Sequence, residues 1–478
     1  MKKKYLIVSF ITLTILCIIT TPIVFQNDTF YTIKIGKYIL TNGIDMLDHF
    51  SIHTLSYTYP HWLYDVLISL IYSINGFTSL YIFNIFCFII ISYLMFYFIN
   101  KNIKSKFISL IFTILSILIL SSYITTRAQV ISYIVFILEY IFITNYLKKP
   151  NKFYLFGLII LSSILCNIHV AVWPFYFIVF LPYIAEYIIA KLFKRKTIFK
   201  FIELEENNNI KYLIITLFLC IIPGFLTPIK DTPFTYLIYT MMGNSQSFIQ
   251  EHLPPDIPKL IILIAFSIII IILSIINKIK AHQLFFVLGL SFMTFSSDRH
   301  IALYTIFIFP ILANLFNKIF LKINIDIDNY TLKYLLSNIG IIILTIILLI
   351  LIGLFIYFNK DEKYYSEKDY PIQATNFILD NLDYKNIKLL NEYNYGSFLL
   401  FYDIPVFIDS RADLYTKEFN HKQDIFQDYM DKDYNYIIKK YNITHIISQK
   451  DSNLYSFIKN HNYNIIYEDK YFIVCEVI

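Results

Sequence analysis

Few ionisable residues interrupt the apolar stretches of this chain, and their types suit one kind of chemistry. Arg127 stands in YITTRAQV, His169 in CNIHVAVW and Arg299 in SSDRHIAL, each in an otherwise apolar context. Glu251, His252, Asp298 and His300 flank apolar runs, and the segment before residue 76 adds Asp28, Asp45, Asp48, His49, His53 and His61. Ionisable groups beside hydrocarbon are costly and tend to be functional. Carboxylates, imidazoles and guanidiniums on one face fit group transfer from a lipid-linked anionic donor. A carboxylate takes the proton of an acceptor hydroxyl, and cations stabilise the departing phosphate. The competing readings are plain: solvated loops, helix-end snorkelling for the cations, and, for Asp28, capping of the helix that follows.

The elements that would position these groups are apolar helices. Of 478 residues, 57% are hydrophobic and only 15% charged, against about 25% charged in an average soluble chain. A soluble fold could not hide that much apolar surface. The 45 Phe and 41 Tyr fit aromatic side chains at membrane interfaces, although AT-rich coding explains part of the bias. The formal charge of +6 comes from lysines that punctuate apolar runs, so it reports orientation in a membrane and implies no nucleic-acid partner. Cys17, Cys87, Cys166, Cys220 and Cys475 form no CxxC or paired framework. Neither a disulfide nor a zinc site is expected.

Apolar stretches able to span about 30 Å lie at 5–25, 77–99, 107–122, 130–147, 153–169, 172–190, 211–228, 258–276, 282–297, 300–317 and 334–358, about eleven spans. The first, preceded by Lys2, Lys3 and Lys4, lacks a small-residue cleavage site and reads as a retained helix. With the N-terminus cytoplasmic, the lysine-rich connections fall on one side: Lys101, Lys104 and Lys106; Lys148, Lys149 and Lys152; Lys191, Lys194, Arg195 and Lys196; Lys278 and Lys280; Lys318 and Lys322. This requires that residues 61–75, which include Asp65, form an interfacial amphipathic helix rather than a span. The first loop, 26–76, and the tail, 359–478, then lie outside the cell membrane. The tail alternates β-rich runs (IKLLNEY, VFIDS, THIISQ, NIIYED, YFIVCEV) with helix-like ones (IQATNFILDN, DIFQDYM, LYSFIKN). It reads as a small extracytoplasmic α/β domain. The expected fold is a polytopic α-helical membrane protein, residues 1–358, followed by that domain, 359–478.

The order of motifs resembles a family of prokaryotic membrane proteins of the GT-C glycosyltransferase superfamily. Better-known relatives there include oligosaccharyltransferases, protein mannosyltransferases and aminoarabinose transferases. NDTFYTIKIGKYILTNGIDMLDHFSIHT is similar to the family's long first outer loop, and HWLYDVLISLIYSINGF to its juxtamembrane helix. TTRAQVISY, CNIHVAVW, IQEHLPP and DRHIALYTIFIFP follow in the same order and on the same side. NEYNYGSFLLFYDIPVFIDSRADLY resembles the post-membrane signature through Asn391, Gly396, Asp409, Arg411 and Tyr415. The resemblance implies a polyprenyl-phosphate-linked sugar donor and inverting transfer to an acceptor hydroxyl at the outer face. It assigns the general base to Asp28, with Asp48 as second candidate. Donor or sugar would be held by His53, Arg127, His169, Glu251, His252, Arg299 and His300. Members divide over divalent metal, so the cation stays open; oxygen ligands such as Asp28 and Glu251 suit magnesium or manganese. His61 stands where the family pattern has an acidic residue, which leaves the juxtamembrane helix without that group. For Asp409 and Arg411 a strand-end ion pair is an equal alternative to acceptor recognition.

Other classes compete. A lipid-linked saccharide transporter or flippase would place charges near the bilayer midplane, and Glu139 and Glu186 lie partway down spans. A polymerase or ligase of surface polysaccharide would share the donor and differ in acceptor. A non-catalytic envelope-assembly protein would keep the fold without the turnover.

Overall fold

In the computed structural model, all residues are described except Met1, 194–199, 244–247, Asn324, Asp361 and Ile478. Lys194, Arg195 and Lys196 of the expected basic loops thus lie outside the described residues. The apolar runs read from the sequence fall mainly on helix, although 21–25 and 226–228 lie outside it. Among the described residues eight helices are long and apolar enough to cross a membrane: Lys3–Thr20, Trp62–Asn102, Lys106–Tyr123, Gln129–Lys148, Val170–Phe193, Ile257–Asn277, Asp298–Lys322 and Asn338–Asn359. Three further apolar helices, Lys152–Ile168, Ile210–Phe225 and Ala281–Ser296, are shorter. Sixteen residues of helix cover about 24 Å, less than the hydrocarbon core, so length alone does not make these three spans.

The helix Trp62–Asn102 breaks at Asn75 (φ −154°, ψ 40°) and Gly76 (φ 60°, ψ −142°). The positive φ at position 76 favours glycine. The break falls between the expected interfacial helix, 61–75, and the expected run from 77.

The chain divides into two compact units. One, the helical unit, comprises Met1–Pro22, Ile82–Leu226 and Gln250–Glu362; the other, the mixed unit, comprises Ile23–Tyr81, Thr227–Ile249 and Lys363–Ile478. In the helical unit, buried polar side chains join helices where hydrophobic burial alone gives little preference for one neighbour over another. Tyr176 donates to Leu158 O (2.7 Å), Trp173 Nε1 to Ser162 Oγ (2.9 Å), and Ser162 Oγ to Cys220 O (2.7 Å). Helix ends are capped by side chains. Ser105 caps Lys106–Leu120, and Asp328 receives the same helix's first amides, Lys106 N at 2.9 Å and Phe107 N at 3.1 Å. Asp256 caps Ile257–Asn277, which carries Pro258 in its first turn.

The mixed unit contains a four-stranded sheet in the order Leu389–Leu390, His445–Gln449, Phe472–Glu476, Asn464–Glu468. The first pair is parallel and the other two antiparallel. Helices Ile372–Asn381, Ile425–Met430 and Asn453–His461 occupy the helix-like runs. VFIDS is a correction: it is not a strand. Val406 makes a single bridge to Ser51, and the next backbone groups are claimed by a side chain. Asn391 Oδ1 accepts Phe407 N (2.8 Å) and its Nδ2 donates to Ile408 O (2.7 Å), so an amide side chain takes the place of a neighbouring strand.

Candidate functional site

In the helical unit, the candidate residues converge where several helices begin or end. Arg127 precedes the helix Gln129–Lys148, and its Nη1 forms an ion pair with Oε1 of Glu251, in the short turn Gln250–His252. That turn is tied to the next candidate segment. Ser297 Oγ donates to Glu251 O (2.9 Å), and Asp298 N donates to Leu253 O (2.9 Å). Asp298 accepts from Tyr123 Oη (3.1 Å) and from Lys259 Nζ (2.9 Å). Arg299 donates from Nη1 to His252 Nε2 at 2.9 Å. Burial, reinforced by the Arg299 guanidinium, pushes the His252 imidazole down to about 4. His252 therefore accepts as a neutral ring at ordinary pH. Tyr133 lies within electrostatic reach of Glu251, Arg299 and Arg127 together.

His169 ends the helix Lys152–Ile168 and is buried. Ser132 Oγ donates to Ala128 O (3.0 Å), so the 2.9 Å contact between Ser132 Oγ and His169 Nδ1 has the imidazole as donor. In the neutral ring Nε2 is then the acceptor nitrogen. His300 meets the ring of Phe175 at 5.7 Å. Phe175 also lines an apolar cavity of about 230 Å³, shared with Phe136, Val179, Pro182, Phe286 and Gly289. Tyr123, Ser132 and Lys259 were not among the expected site residues. A hydroxyl or a lysine next to a helix end gives no signal in one sequence.

The mixed unit holds the remaining candidates, and most of them are locked. Arg411 grips Asp409 with two parallel bonds, Nε to Oδ1 (2.9 Å) and Nη2 to Oδ2 (2.7 Å), and reaches Asp48 Oδ1 through Nη1 (2.7 Å). Tyr415 Oη donates to Asp409 Oδ2 (2.6 Å). Asp48 Oδ2 accepts from Ser51 N (3.0 Å) and Ser51 Oγ (2.5 Å). Burial alone would raise the Asp48 carboxyl, but Arg411 and the Ser51 bonds outweigh it and hold the group below the ordinary carboxylate range. Both Asp48 oxygens are thus occupied, which suits a structural tie better than a base. The guanidinium also stacks over Tyr57 (5.1 Å) and Phe50 (5.6 Å).

Around this tie, His53 Nε2 donates to Phe407 O (2.9 Å), and burial pushes its imidazole down to about 4. A Cβ at Gly396 would stand 2.0 Å from Ile408 O, so only glycine fits. Gly36 has the same constraint, its hypothetical Cβ lying 1.9 Å from Asp65 O.

Asp28 differs from Asp48. It lies in the first turn of the helix Asn27–Asn42, whose cap position belongs to Gln26, and it is only partly buried. The cap reading therefore does not account for it, although a carboxylate there also suits the helix dipole. Its helix start is held by Asn27 Nδ2 donating to Tyr393 O (3.1 Å) and Tyr370 Oη donating to Phe25 O (3.2 Å). Asp28 lies within electrostatic reach of Tyr370.

Among the described residues, no group of three or more His, Cys, Asp or Glu is arranged to hold a metal ion. Comparison with known proteins gives no family: no protein-family model matches the sequence, and no curated protein matches it.

Proposed function

We propose that this chain is a membrane glycosyltransferase that moves a sugar from a polyprenyl-phosphate-linked donor to an acceptor hydroxyl at the outer face of the membrane, with inversion. The observation that carries the reading is the meeting of polar and apolar features at Phe175, which lines the 230 Å³ cavity and touches His300, beside Arg299. A lipid phosphate needs that pairing: an apolar recess for the chain and guanidiniums for the anion. In this reading all eleven apolar helices span, the N-terminus is cytoplasmic, and the tail from residue 359 is extracytoplasmic. The base role goes to Asp28, in the mixed unit, and the role of cations for the leaving polyprenyl phosphate to Arg127 and Arg299, in the helical unit. His169, His252, His300 and Glu251 orient those groups or the sugar. Asp48, Asp409, Arg411 and Tyr415 hold the mixed unit together.

The test is turnover. Detergent-purified protein is supplied with a panel of polyprenyl-phosphate sugars, with and without magnesium or manganese, and release of polyprenyl phosphate is followed for wild type and Asp28→Asn. Loss of release in the variant, with its melting temperature kept, supports the assignment. Undiminished release removes Asp28 from its role, and no release with any donor favours the transport or assembly readings.

A further inference from the structure

A second polar site lies in the helical unit, in a place sugar transfer does not use. His282 stands in the first turn of Ala281–Ser296, at the opposite end of that helix from Ser297 and Asp298. Its Nδ1 forms an ion pair with Oε2 of Glu186, on the helix Leu181–Phe193. The side chains are 13% and 5% exposed. Tyr183 stacks on the imidazole, with ring centroids 4.6 Å apart and planes at 25°. Phe286 packs against both Tyr183 (5.7 Å) and Tyr140 (5.6 Å). Next to Tyr140 in the chain is Glu139, fully buried.

Three carboxyl oxygens here have no hydrogen-bond partner among the described residues: Oε1 of Glu186 and both oxygens of Glu139. Nothing in stability asks for them, since a buried ion pair is commonly no better than apolar packing and an unmatched carboxyl is worse. Such a group persists inside a membrane protein when it binds something. Calcium takes six to eight oxygens, more than these two carboxyls among aromatic rings supply. A proton needs one lone pair.

We propose that Glu186 and His282, with Glu139 on the adjoining helix, form a proton-binding site inside the helical unit, filled from the end that carries Lys148 and Lys280. In this proposal one proton is shared between Nδ1 and Oε2. A second proton enters on Oε1 and makes the carboxylic acid, and the pair gains one positive charge; release reverses the step. Glu139 is the deeper acceptor. Around it Tyr176, Tyr183 and Cys220 are the titratable neighbours. Glu205, itself paired with Lys280, lies within reach of His282, and Lys148 is close to both members of that surface pair. This site stands independently of the sugar-transfer reading.

Infrared difference spectra of the reconstituted full-length protein, taken between acid and alkaline buffer, test the proposal. Wild type should gain carboxylic C=O bands and lose carboxylate bands reversibly on acidification, at wavenumbers that shift in heavy water. Glu186→Gln should remove one component and Glu139→Gln another. His282→Gln keeps both carboxyls but removes the ring that Glu186 contacts, so it should move the midpoint of the Glu186 component. If no carboxylic band titrates in wild type, or the double variant Glu139→Gln, Glu186→Gln retains the wild-type spectrum, the proposal is overturned. Should the glutamate variants not fold, an unmoved midpoint in His282→Gln overturns it equally.

Discussion

The helical unit and the mixed unit use the same residue types to opposite ends. Arg127 with Glu251 is an ion pair with side chains 22% and 44% exposed, whereas Arg411 with Asp409 and Asp48 is buried to 3% or less on every side chain. The first lies among helix ends and is partly exposed. The second has every carboxylate oxygen spoken for and two aromatic faces on the guanidinium. An arginine beside an acid therefore says little about function until its burial and remaining hydrogen-bond capacity are known.

That contrast can be broken by mutation. Arg411→Ala leaves two buried carboxylates without their counter-charge and should cost about 3–5 kcal/mol, read as a large fall in melting temperature. Arg411→Lys should recover only part, because an ammonium cannot form the parallel bonds to Asp409. A wild-type melting curve for Arg411→Ala would end the distinction between the two clusters.

Acid should act on the mixed unit through His53. Its imidazole ionises at about 4 when folded, against 6.5 when free. The stability that comes from keeping it neutral is whole above 6.5, declines as the pH falls from there, and is lost by about 4; the difference amounts to about 3 kcal/mol. Asp48 acts in the same direction at lower pH: its contribution is present above the ordinary carboxylate value and disappears as the pH falls through its folded value. Unfolding measured against pH should show this acid limb in wild type, and His53→Gln should flatten the part between 6.5 and 4.

Gly396→Ala sharpens the comparison further, since the new methyl group would collide with Ile408 O. A loss of about 1–3 kcal/mol in chemical denaturation is expected, with no change in any helical-unit property. The smallest stability effect belongs to Arg127→Ala, within about 1 kcal/mol for a partly exposed pair. Its donor turnover should nevertheless fall by roughly a hundredfold if the guanidinium stabilises the leaving phosphate. A variant that loses stability but keeps turnover would reverse the roles given to the two arginines.

Much of the helical architecture was legible because long apolar runs carry their own boundaries, and Gly76 marked the break within Trp62–Asn102. The small sheet was legible wherever a strand pairs with another strand. VFIDS misled because its apolar alternation is real while its hydrogen bonds go to Asn391, a partner no periodicity announces. The same limit hid the extent of the mixed unit, whose parts before residue 82 and around Thr232–Met242 join the tail through long-range contacts such as His53 with Phe407 and Tyr236 with Asp413. Within the site, Arg127, Glu251, Arg299 and His252 stood out as charges beside apolar helices, and the structure joins them. Asp48 stood second to Asp28 in sequence, and its burial with its bonds to Arg411 and Ser51 sets it apart. His282 escaped notice because a histidine at the lysine-bearing end of a helix resembles an ordinary loop residue until Glu186 is seen beside it.

Asn391 also governs how the sheet meets other molecules. Its edge strand, Leu389–Leu390, is two residues long, and past it the amide occupies the backbone groups that a stranger's chain would need for pairing. A margin closed in this way offers no template for further strands on that side of the sheet. Replacing that amide with leucine would leave the buried Phe407 N–H and Ile408 C=O unsatisfied, a cost to the fold.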